Sequence, residues 1–197
     1  MKKSVLAIGA HFDDIELGCG GTVARHVSNG DNVIMLVLTD SAYYNYDGTP
    51  VRTVEVAKQE GEDAAKVLGV DKLISIGLET KTVQYGFELI ETINKVIDEH
   101  NIDTIYTHWD KDVHQDHSAI GRATFNAARH VKNVLMYRSN WYHTSSEFRG
   151  NYYSDISEFM DIKIASVKAH ENEYKKFGQG WIDFFVNEDS NAGKKIG

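Results

Sequence analysis

The chain has 197 residues, a formal net charge of −8 and a single cysteine, and these numbers exclude several classes of protein. The length fits one domain, and the acidic balance provides no basic surface for nucleic acid or an anionic membrane. Cys19 alone cannot build a disulfide framework or a cysteine-based zinc module. The nine histidines are the unusual count, and because histidine is the commonest metal-binding side chain, they direct attention to a metal site.

The first apolar run begins directly after two lysines, as the core of a secretory signal would. It covers residues 4–10 and then meets His11, Asp13 and Asp14, which no apolar signal core would carry. We therefore predict a buried first strand. Because no apolar run approaches the roughly 20 residues that span a bilayer, we expect a cytoplasmic protein without a membrane span.

Short apolar runs alternate with amphipathic segments along most of the chain. Nearly uniform apolar runs are typical of strands covered on both faces, and the alternation of strand and helix implies right-handed parallel crossovers. We therefore predict one α/β domain over residues 1–197, a three-layer Rossmann-like sandwich with a mostly parallel central sheet. The predicted strands cover 5–8, 33–38, 73–76, 104–107 and 134–137, and the predicted helices cover 15–29, 53–68, 86–100 and 117–131.

Two long segments without a helix or strand pattern, residues 40–52 and 138–151, each follow a predicted strand. In a doubly wound sheet, the loops at the carboxyl ends of the strands form the ligand crevice. The two segments carry Arg52 and Trp141 together with several tyrosines. This composition indicates a site for a sugar or another polar ring, and a partly buried aromatic lid is the alternative.

A first cluster of polar side chains follows the first predicted strand. His11 and Asp14, three residues apart at a strand end, can converge on one cation with a nitrogen and an oxygen ligand. Asp13, between them, is a candidate base for a metal-bound water. The alternative roles for the two aspartates are Mg²⁺ binding and capping of the next helix.

A second cluster follows the fourth predicted strand. It contains Asp112, His114, Asp116 and His117, and His108 begins the loop that leads to it. Because the carboxyl ends of parallel strands meet at one edge of the sheet, both clusters can face the same crevice. His11, Asp14 and one of the two histidines His114 and His117 would supply three ligands and leave a fourth position open, which is typical of catalytic zinc.

These motifs resemble the zinc-dependent N-acetylglucosaminyl deacetylases of the PIG-L/LmbE type. The likeness rests on Ala-His-x-Asp-Asp at 10–14, Gly-Cys-Gly-Gly-Thr at 18–22 and His-x-Asp-His at 114–117, with Arg52, Glu60, Ala64 and Leu68-Gly69-Val70. It extends from residue 4 to about residue 177. The resemblance implies a Rossmann-like fold and removal of an N-acetyl group from a GlcNAc-type sugar or its conjugate by attack of a zinc-bound water.

The resemblance also implies a role for each matched residue. Zn²⁺, with another divalent metal as the alternative, would be held by His11, Asp14 and His117. Asp13 would be the general base. His114 would serve as the acid or oxyanion partner, kept charged by a nearby carboxylate, with Asp116 hydrogen-bonded to it as its orienting group.

Substrate contacts are predicted at Arg52, Asp112 and Trp141. The guanidinium of Arg52 suits hydroxyls or a phosphate, and a solvated charge at the start of a helix is the alternative. The expected partner is an amino-sugar-containing small molecule or glycan precursor, not nucleic acid. Assembly into a homo-oligomer is left open.

The chain departs from the family pattern at two places. Phe12 stands where the family has a proline between the histidine and the first aspartate, which puts the loop geometry and the rate in question rather than metal binding. The chain also stops after Gly193-Lys194-Lys195-Ile196-Gly197, where the family continues into a last strand. We therefore expect the domain to lack its last C-terminal strand.

Two other functions use the same residues. One is a metal-dependent hydrolase of another amide or of a phosphoester. The other is a catalytically impaired sugar-binding protein on the same fold, for which Phe12 would be the sign. The presence of Asp13 and His114 argues against the loss of activity.

Overall fold

The structure, a computed structural model, describes residues 2–196. Its strands are β1 (Ser4–Gly9), β2 (Asn32–Thr39), β3 (Tyr43–Tyr44), β4 (Pro50–Arg52), β5 (Lys72–Leu78), β6 (Thr104–His108) and β7 (Asn133–Tyr137). Its helices are α1 (Asp14–Ser28), α2 (Val54–Leu68), α3 (Phe87–Glu99), α4 (Gln115–Ala127), α5 (Met160–Lys168), α6 (Glu171–Phe177) and α7 (Gln179–Lys194). Five strands form one parallel sheet in the order β5-β2-β1-β6-β7. The predicted α/β fold with a parallel central sheet is confirmed.

The winding of the sheet reverses at β1, which has β2 on one side and β6 on the other. Val5 lies in register with Val33 of β2 and with Thr104 of β6. The chain therefore builds the sheet outward from β1 in one direction and later returns to complete the other. Such a reversal opens a crevice between the carboxyl ends of the two central strands, where ligands bind in sheets of this type.

The uniform apolar runs are explained by helices on both faces of the sheet. Leu6 packs in a cluster with Ile120 of α4 on one face, and Val5 packs in a cluster with Val23 of α1 on the other. Since successive strand residues point to opposite faces, every residue of a central strand meets a helix. Each fully buried side chain of this size contributes about 1.5–3 kcal/mol.

The glycine-rich segment of α1 lets neighbouring side chains approach the helix axis. A Cβ built on Gly18 would lie 2.1 Å from the Tyr137 ring, and one built on Gly21 would lie 2.8 Å from Ile156. The helix is interrupted at Cys19, whose φ is −143°. Cys19 is buried, and burial raises the pKa of its thiol, so it is a packed residue rather than a nucleophile, as expected.

The chain beyond β7 forms three helices that the sequence analysis did not assign. α7 packs on α1 and α5 through Trp181, Phe185, Leu17 and Val167. The expectation that the domain lacks its last C-terminal strand is not tested by the described residues and stays a prediction. Within residues 2–196, no helix combines the length and the apolarity needed to cross a membrane.

A short hairpin of β3 and β4 interrupts the segment predicted to be irregular over residues 40–52. It is fastened to α6 at two points. The Tyr43 hydroxyl donates to Glu173 Oε1 at 2.7 Å, and Asn172 Nδ2 donates to the carbonyl of Val51 at 3.1 Å. The C-terminal helices therefore hold this hairpin beside the carboxyl end of the sheet.

Replacement of Gly121 by alanine should destabilise the protein. A Cβ at this position in α4 would lie 2.6 Å from the carbonyl oxygen of His108, and overpacking of a core costs about 1–3 kcal/mol. Gly180→Ala in α7 is the matched control, because its Cβ would meet no atom of another element within 4 Å. That variant should gain up to about 1 kcal/mol from helix propensity. Urea unfolding of both variants measures the difference, and equal stability of Gly121→Ala and wild type would contradict this packing.

Candidate metal centre

The two predicted clusters meet at the carboxyl ends of β1 and β6. His11, Asp13 and Asp14 lie where β1 turns into α1. His114 is the N-cap of α4, and its side chain accepts a hydrogen bond from the backbone of Asp116. This placement puts His117 in the first turn of α4, directed at the turn that carries the first cluster.

The three predicted metal ligands lie side by side, with the Asp14 carboxylate facing His117 through Oδ1 and His11 through Oδ2. His11 Nδ1 lies 3.2 Å from His117 Nε2, His117 Nε2 lies 3.2 Å from Asp14 Oδ1, and His11 Nδ1 lies 3.3 Å from Asp14 Oδ2. A tetrahedral zinc site with bonds of about 2.0–2.1 Å has ligand-to-ligand distances of about 3.3 Å. The spacing of these donor atoms therefore fits a metal ion of that size.

His117 lies between two carboxylates. Its Nε2 faces Asp14, and its Nδ1 lies 3.3 Å from Asp112 Oδ2. Burial alone would lower its pKa, but the charges of Asp14 and Asp112 outweigh burial and raise the pKa of His117 to about 10. The site thus concentrates negative potential on one imidazole, where a metal ion would take the place of the proton.

Asp112 lies behind His117 rather than on an open wall of the crevice. It is buried, and its carboxylate accepts hydrogen bonds from the backbone of His114 at 2.7 Å and from the Asn140 side chain. These contacts hold the Asp112 carboxylate in place, 3.3 Å from His117 Nδ1. The predicted substrate contact of Asp112 stays a prediction.

The Asp116 carboxylate has a different partner from the one expected. Its Oδ2 lies 3.0 Å from His11 Nε2 and accepts the backbone N–H of Lys81 at 2.7 Å, while Oδ1 accepts that of Val83 at 3.2 Å. Only the backbone of Asp116 bonds to His114. Because His114 caps the helix while Asp116 lies inside its first turn, the carboxylate is directed to the other cluster, where it orients His11.

The surroundings of His114 lower its pKa, whereas a nearby carboxylate was expected to keep the ring charged. Burial lowers its pKa to about 4, with further lowering by the charges of His117 and His11. Since Nδ1 accepts the N–H of Asp116 at 3.3 Å, the neutral ring carries its proton on Nε2. His114 can therefore donate one hydrogen bond from the atom that is free of the helix cap.

Asp13 has an unusual backbone and a raised pKa. Its φ is 131°, in a region that residues other than glycine rarely adopt. Burial raises the pKa of its carboxyl to about 7, the adjacent Asp14 carboxylate adds to the rise, and Arg52 and His170 oppose it. A carboxyl with a pKa near neutrality can both accept and return a proton.

Arg52 is buried beside the turn that carries Asp13, and Trp141 lies in the segment after β7. Arg52 is 3% exposed, and its guanidinium donates to the carbonyl of Phe12 at 3.0 Å and to Glu60 Oε2 at 2.9 Å. Trp141 packs edge-on against Phe177 at 5.5 Å between ring centroids. Their predicted contacts with substrate stay predictions.

Three further residues support the centre. His108, at the end of β6, is fully buried, lies 3.2 Å from Asp14 Oδ2 and stacks on His117 with 4.0 Å between ring centroids. Ser139 Oγ donates to Asp14 Oδ1 at 2.8 Å, and Asn140 bonds to Asp112. Ser139 and Asn140 carry no motif and were not predicted, although they lie two and three residues after β7, whose carboxyl end is at the same edge of the sheet.

Within the described residues, the groups able to hold a metal ion form two overlapping sets. One contains His11, His114 and His117, and the other contains Asp14, His108 and His117. The predicted ligands His11, Asp14 and His117 draw on both sets. A buried histidine–aspartate group that could bind a metal is therefore present.

A family model and a related protein indicate one family. A family model described as "PIG-L: GlcNAc-PI de-N-acetylase" matches residues 6–128. The uncharacterized deacetylase YaiS of Escherichia coli K12 is 31% identical over 180 residues, covering 87% of this chain and 92% of that protein. The diacetylchitobiose deacetylase of Thermococcus kodakarensis is 28% identical over 192 residues, covering 87% of this chain and 70% of that protein.

A solved structure shares the fold. The N,N'-diacetylchitobiose deacetylase of Pyrococcus horikoshii, complexed with an inhibitor, superposes with a TM-score of 0.84 at 21% sequence identity. The superposition covers 99% of this chain and 80% of that one.

Replacement of Asp112 by asparagine should weaken metal binding without abolishing it. The variant keeps the size of the side chain but removes the charge behind His117, and the loss of such an orienting partner costs about 10- to 100-fold in metal affinity. Calorimetric titration of the metal-free protein with Zn²⁺ measures the change. Asp110→Asn, two residues away on the same loop, is the matched control, and equal affinity of the two variants would contradict the orienting role.

Proposed function

The chain belongs to the PIG-L family, and we propose on that basis that it is a zinc-dependent deacetylase that hydrolyses the N-acetyl group of a GlcNAc-type sugar. Its named relatives are deacetylases, and one of them is named for diacetylchitobiose. The observation that carries the proposal is the convergence of His11, Asp14 and His117 within 3.3 Å of one another beside Asp13.

The donor set suits zinc. His11, Asp14 and His117 would hold the ion with two nitrogens and one oxygen, which leaves a fourth position for water or substrate. When bound, zinc polarises the acetyl carbonyl and lowers the pKa of a water to about 7. Asp112 and Asp116, behind His117 and His11 respectively, hold the two imidazoles in the orientation that ligation requires.

Asp13 is the proposed general base. As the oxygen of the attacking water bonds to the acetyl carbon, the Asp13 carboxylate takes a proton from that water. When the carbon–nitrogen bond breaks, the protonated carboxyl returns the proton to the departing amine, and the products are acetate and the free amino sugar. Its raised pKa of about 7 suits both halves of this transfer.

His114 is the proposed hydrogen-bond donor to the carbonyl oxygen as that oxygen becomes negative. A neutral imidazole with its proton on Nε2 can donate without first being charged, and it costs no reorganisation if it is already aimed. The backbone of Asp116 fixes the ring by its bond to Nδ1. Stabilisation of a developing oxyanion by one such donor is typically worth about 10²–10³ in kcat.

Replacement of Asp13 by asparagine should abolish most of the turnover and leave zinc in place. The loss of a general base costs about 10²- to 10⁴-fold in rate, and the amide cannot take the proton. Acetate release from N,N'-diacetylchitobiose and from N-acetylglucosamine by the zinc-loaded protein measures the rate, and elemental analysis measures bound zinc. Asp63→Asn, at an exposed position on α2, is the control that should keep wild-type activity.

The same assay separates the alternatives. Turnover of the acetylated sugars that is equal in Asp13→Asn and wild type would overturn the mechanism. Release of phosphate from sugar phosphates, with no acetate release, would favour a phosphoesterase. Binding of the sugars without turnover by wild type would favour a sugar-binding protein.

A further inference from the structure

The strained backbone of Asp13 needs a cause. Its φ of 131° and ψ of −25° lie far from the regions that side chains with a Cβ favour. Such a conformation persists only where the surrounding structure enforces it. We propose that Ser41, Arg52 and Gly61 are positioning residues that grip Phe12 and through it aim the Asp13 carboxylate at the crevice.

Both peptide groups of Phe12 are held by buried side chains. Its N–H donates to Ser41 Oγ at 2.9 Å, and its carbonyl accepts from Arg52 at 3.0 Å. Ser41 is 2% exposed and Arg52 is 3% exposed, so water does not compete for either bond. The carbonyl of Phe12 belongs to the peptide that leads into Asp13, so the Arg52 bond fixes the plane of that peptide, while the Ser41 bond fixes the preceding peptide between His11 and Phe12.

The ring of Phe12 is the third point of attachment. It is 2% exposed, and a Cβ built on Gly61 would lie 2.1 Å from its Cδ1. Only a residue without a side chain lets the ring lie this close to α2. Phe12 is thus a packed core residue, and its ring ties the loop to α2 where a proline would instead have stiffened the loop by its fixed φ.

Two of the residues that hold Phe12, Arg52 and Ser41, are themselves held by further hydrogen bonds. Arg52 is held by Glu60 Oε2 at 2.9 Å, and Glu60 Oε1 accepts the N–H of Asn172 at 2.6 Å. Ser41 has a φ of 56°, a second strained position, and its N–H donates to Thr39 Oγ1 at 3.2 Å. Ser41, Arg52 and Gly61, together called the clamp, therefore connect Asp13 to β2, α2 and the start of α6.

The bond from Phe12 to Ser41 depends on the residue at position 12. A proline has no N–H, so a chain with the expected proline could not make this bond. The hydroxyl of Ser41 should therefore matter only while position 12 carries an N–H. The expected effect of Ser41 on the rate rests on the proposed role of Asp13 as the general base. The expected effect of Ser41 on the Asp13 backbone does not rest on that role.

A double-mutant cycle between Ser41→Gly and Phe12→Pro tests the clamp. Glycine removes the hydroxyl and accepts a φ of 56° without strain. In the zinc-loaded protein, Ser41→Gly should lower kcat about tenfold with KM and zinc content unchanged, because a small displacement of the base slows chemistry more than binding. In the Phe12→Pro background, the same substitution should change kcat less than twofold. Equal losses in both backgrounds would overturn the proposal.

Asn101→Gly is the matched control for relief of backbone strain. Asn101 has a φ of 50° at the start of β6, at the other end of the sheet, and the variant should keep wild-type kcat. A fall in kcat in Asn101→Gly equal to that in Ser41→Gly would overturn the proposal, because a loss of strain rather than a loss of the hydroxyl would then explain both.

Arg52→Lys separates positioning from substrate contact. If Arg52 acts through Phe12, kcat falls and KM stays the same. A raised KM with unchanged kcat would mean that Arg52 binds substrate, and this would overturn its place in the clamp.

A crystal structure of Ser41→Gly provides a readout that does not depend on activity. The clamp predicts that Asp13 leaves its φ near 131° when the hydroxyl is lost, and an unchanged Asp13 backbone would overturn the proposal. If the wild-type protein released no acetate while Asp13 still moved in this variant, the proposed function would fail and the clamp would stand. Ser41→Gly is made in the wild-type background, so its crystal structure tests the proposal even if Phe12→Pro does not fold.

Discussion

The parallel pairing of β1 with β6 is the constraint on which the centre depends. His11 and His117 are separated by 106 positions in the chain, and only the pairing of these two strands ends both segments at one edge of the sheet. The backbone of Ala10 donates to His108 Nε2 at 2.9 Å, so the strands remain joined beyond their last ladder bond. With β2 on the opposite side of β1, the crevice opens at the only reversal of the five-stranded sheet. His11 follows β1 closely and His117 lies in the first turn of α4, so both donors are held by regular elements of the fold.

Charge balance within the centre explains why it suits a cation. Asp14, Asp112 and Asp116 each lie within 3.3 Å of a histidine nitrogen, and the interior offers little water to screen them. Carboxylates in such a site are stable only when a positive charge lies among them. A proton on His117 meets that need in part, and a divalent ion meets it more fully. The carboxylates and imidazoles therefore depend on one another's charge and do not act as independent ligands.

The sequence was sufficient for the sheet, the main helices and the meeting of His11, Asp14 and His117, because apolar periodicity and strand ends follow from local pattern. The sequence did not predict which side chains contact each other across the crevice. Asp116 was expected to orient His114, yet its carboxylate bonds to His11, since a helix cap and the first turn behind it direct neighbouring side chains differently. The bonds of the Arg52 guanidinium to Phe12 and Glu60 were not predicted either, because the depth of a side chain depends on packing that spacing alone does not reveal. The residues after β7 that contact the aspartates carry no motif of their own.

Residues late in the chain support groups that come earlier in it. Ser139 contacts Asp14, Asn140 contacts Asp112 and Asn172 contacts Glu60. The segment that matches the family ends at residue 128 and contains every group proposed to touch the reacting atoms. The segment after it supplies no such group, yet it braces the carboxylates and the hairpin from outside. A substitution late in the chain would therefore act on the centre indirectly, by displacing a carboxylate that another part of the chain supplies.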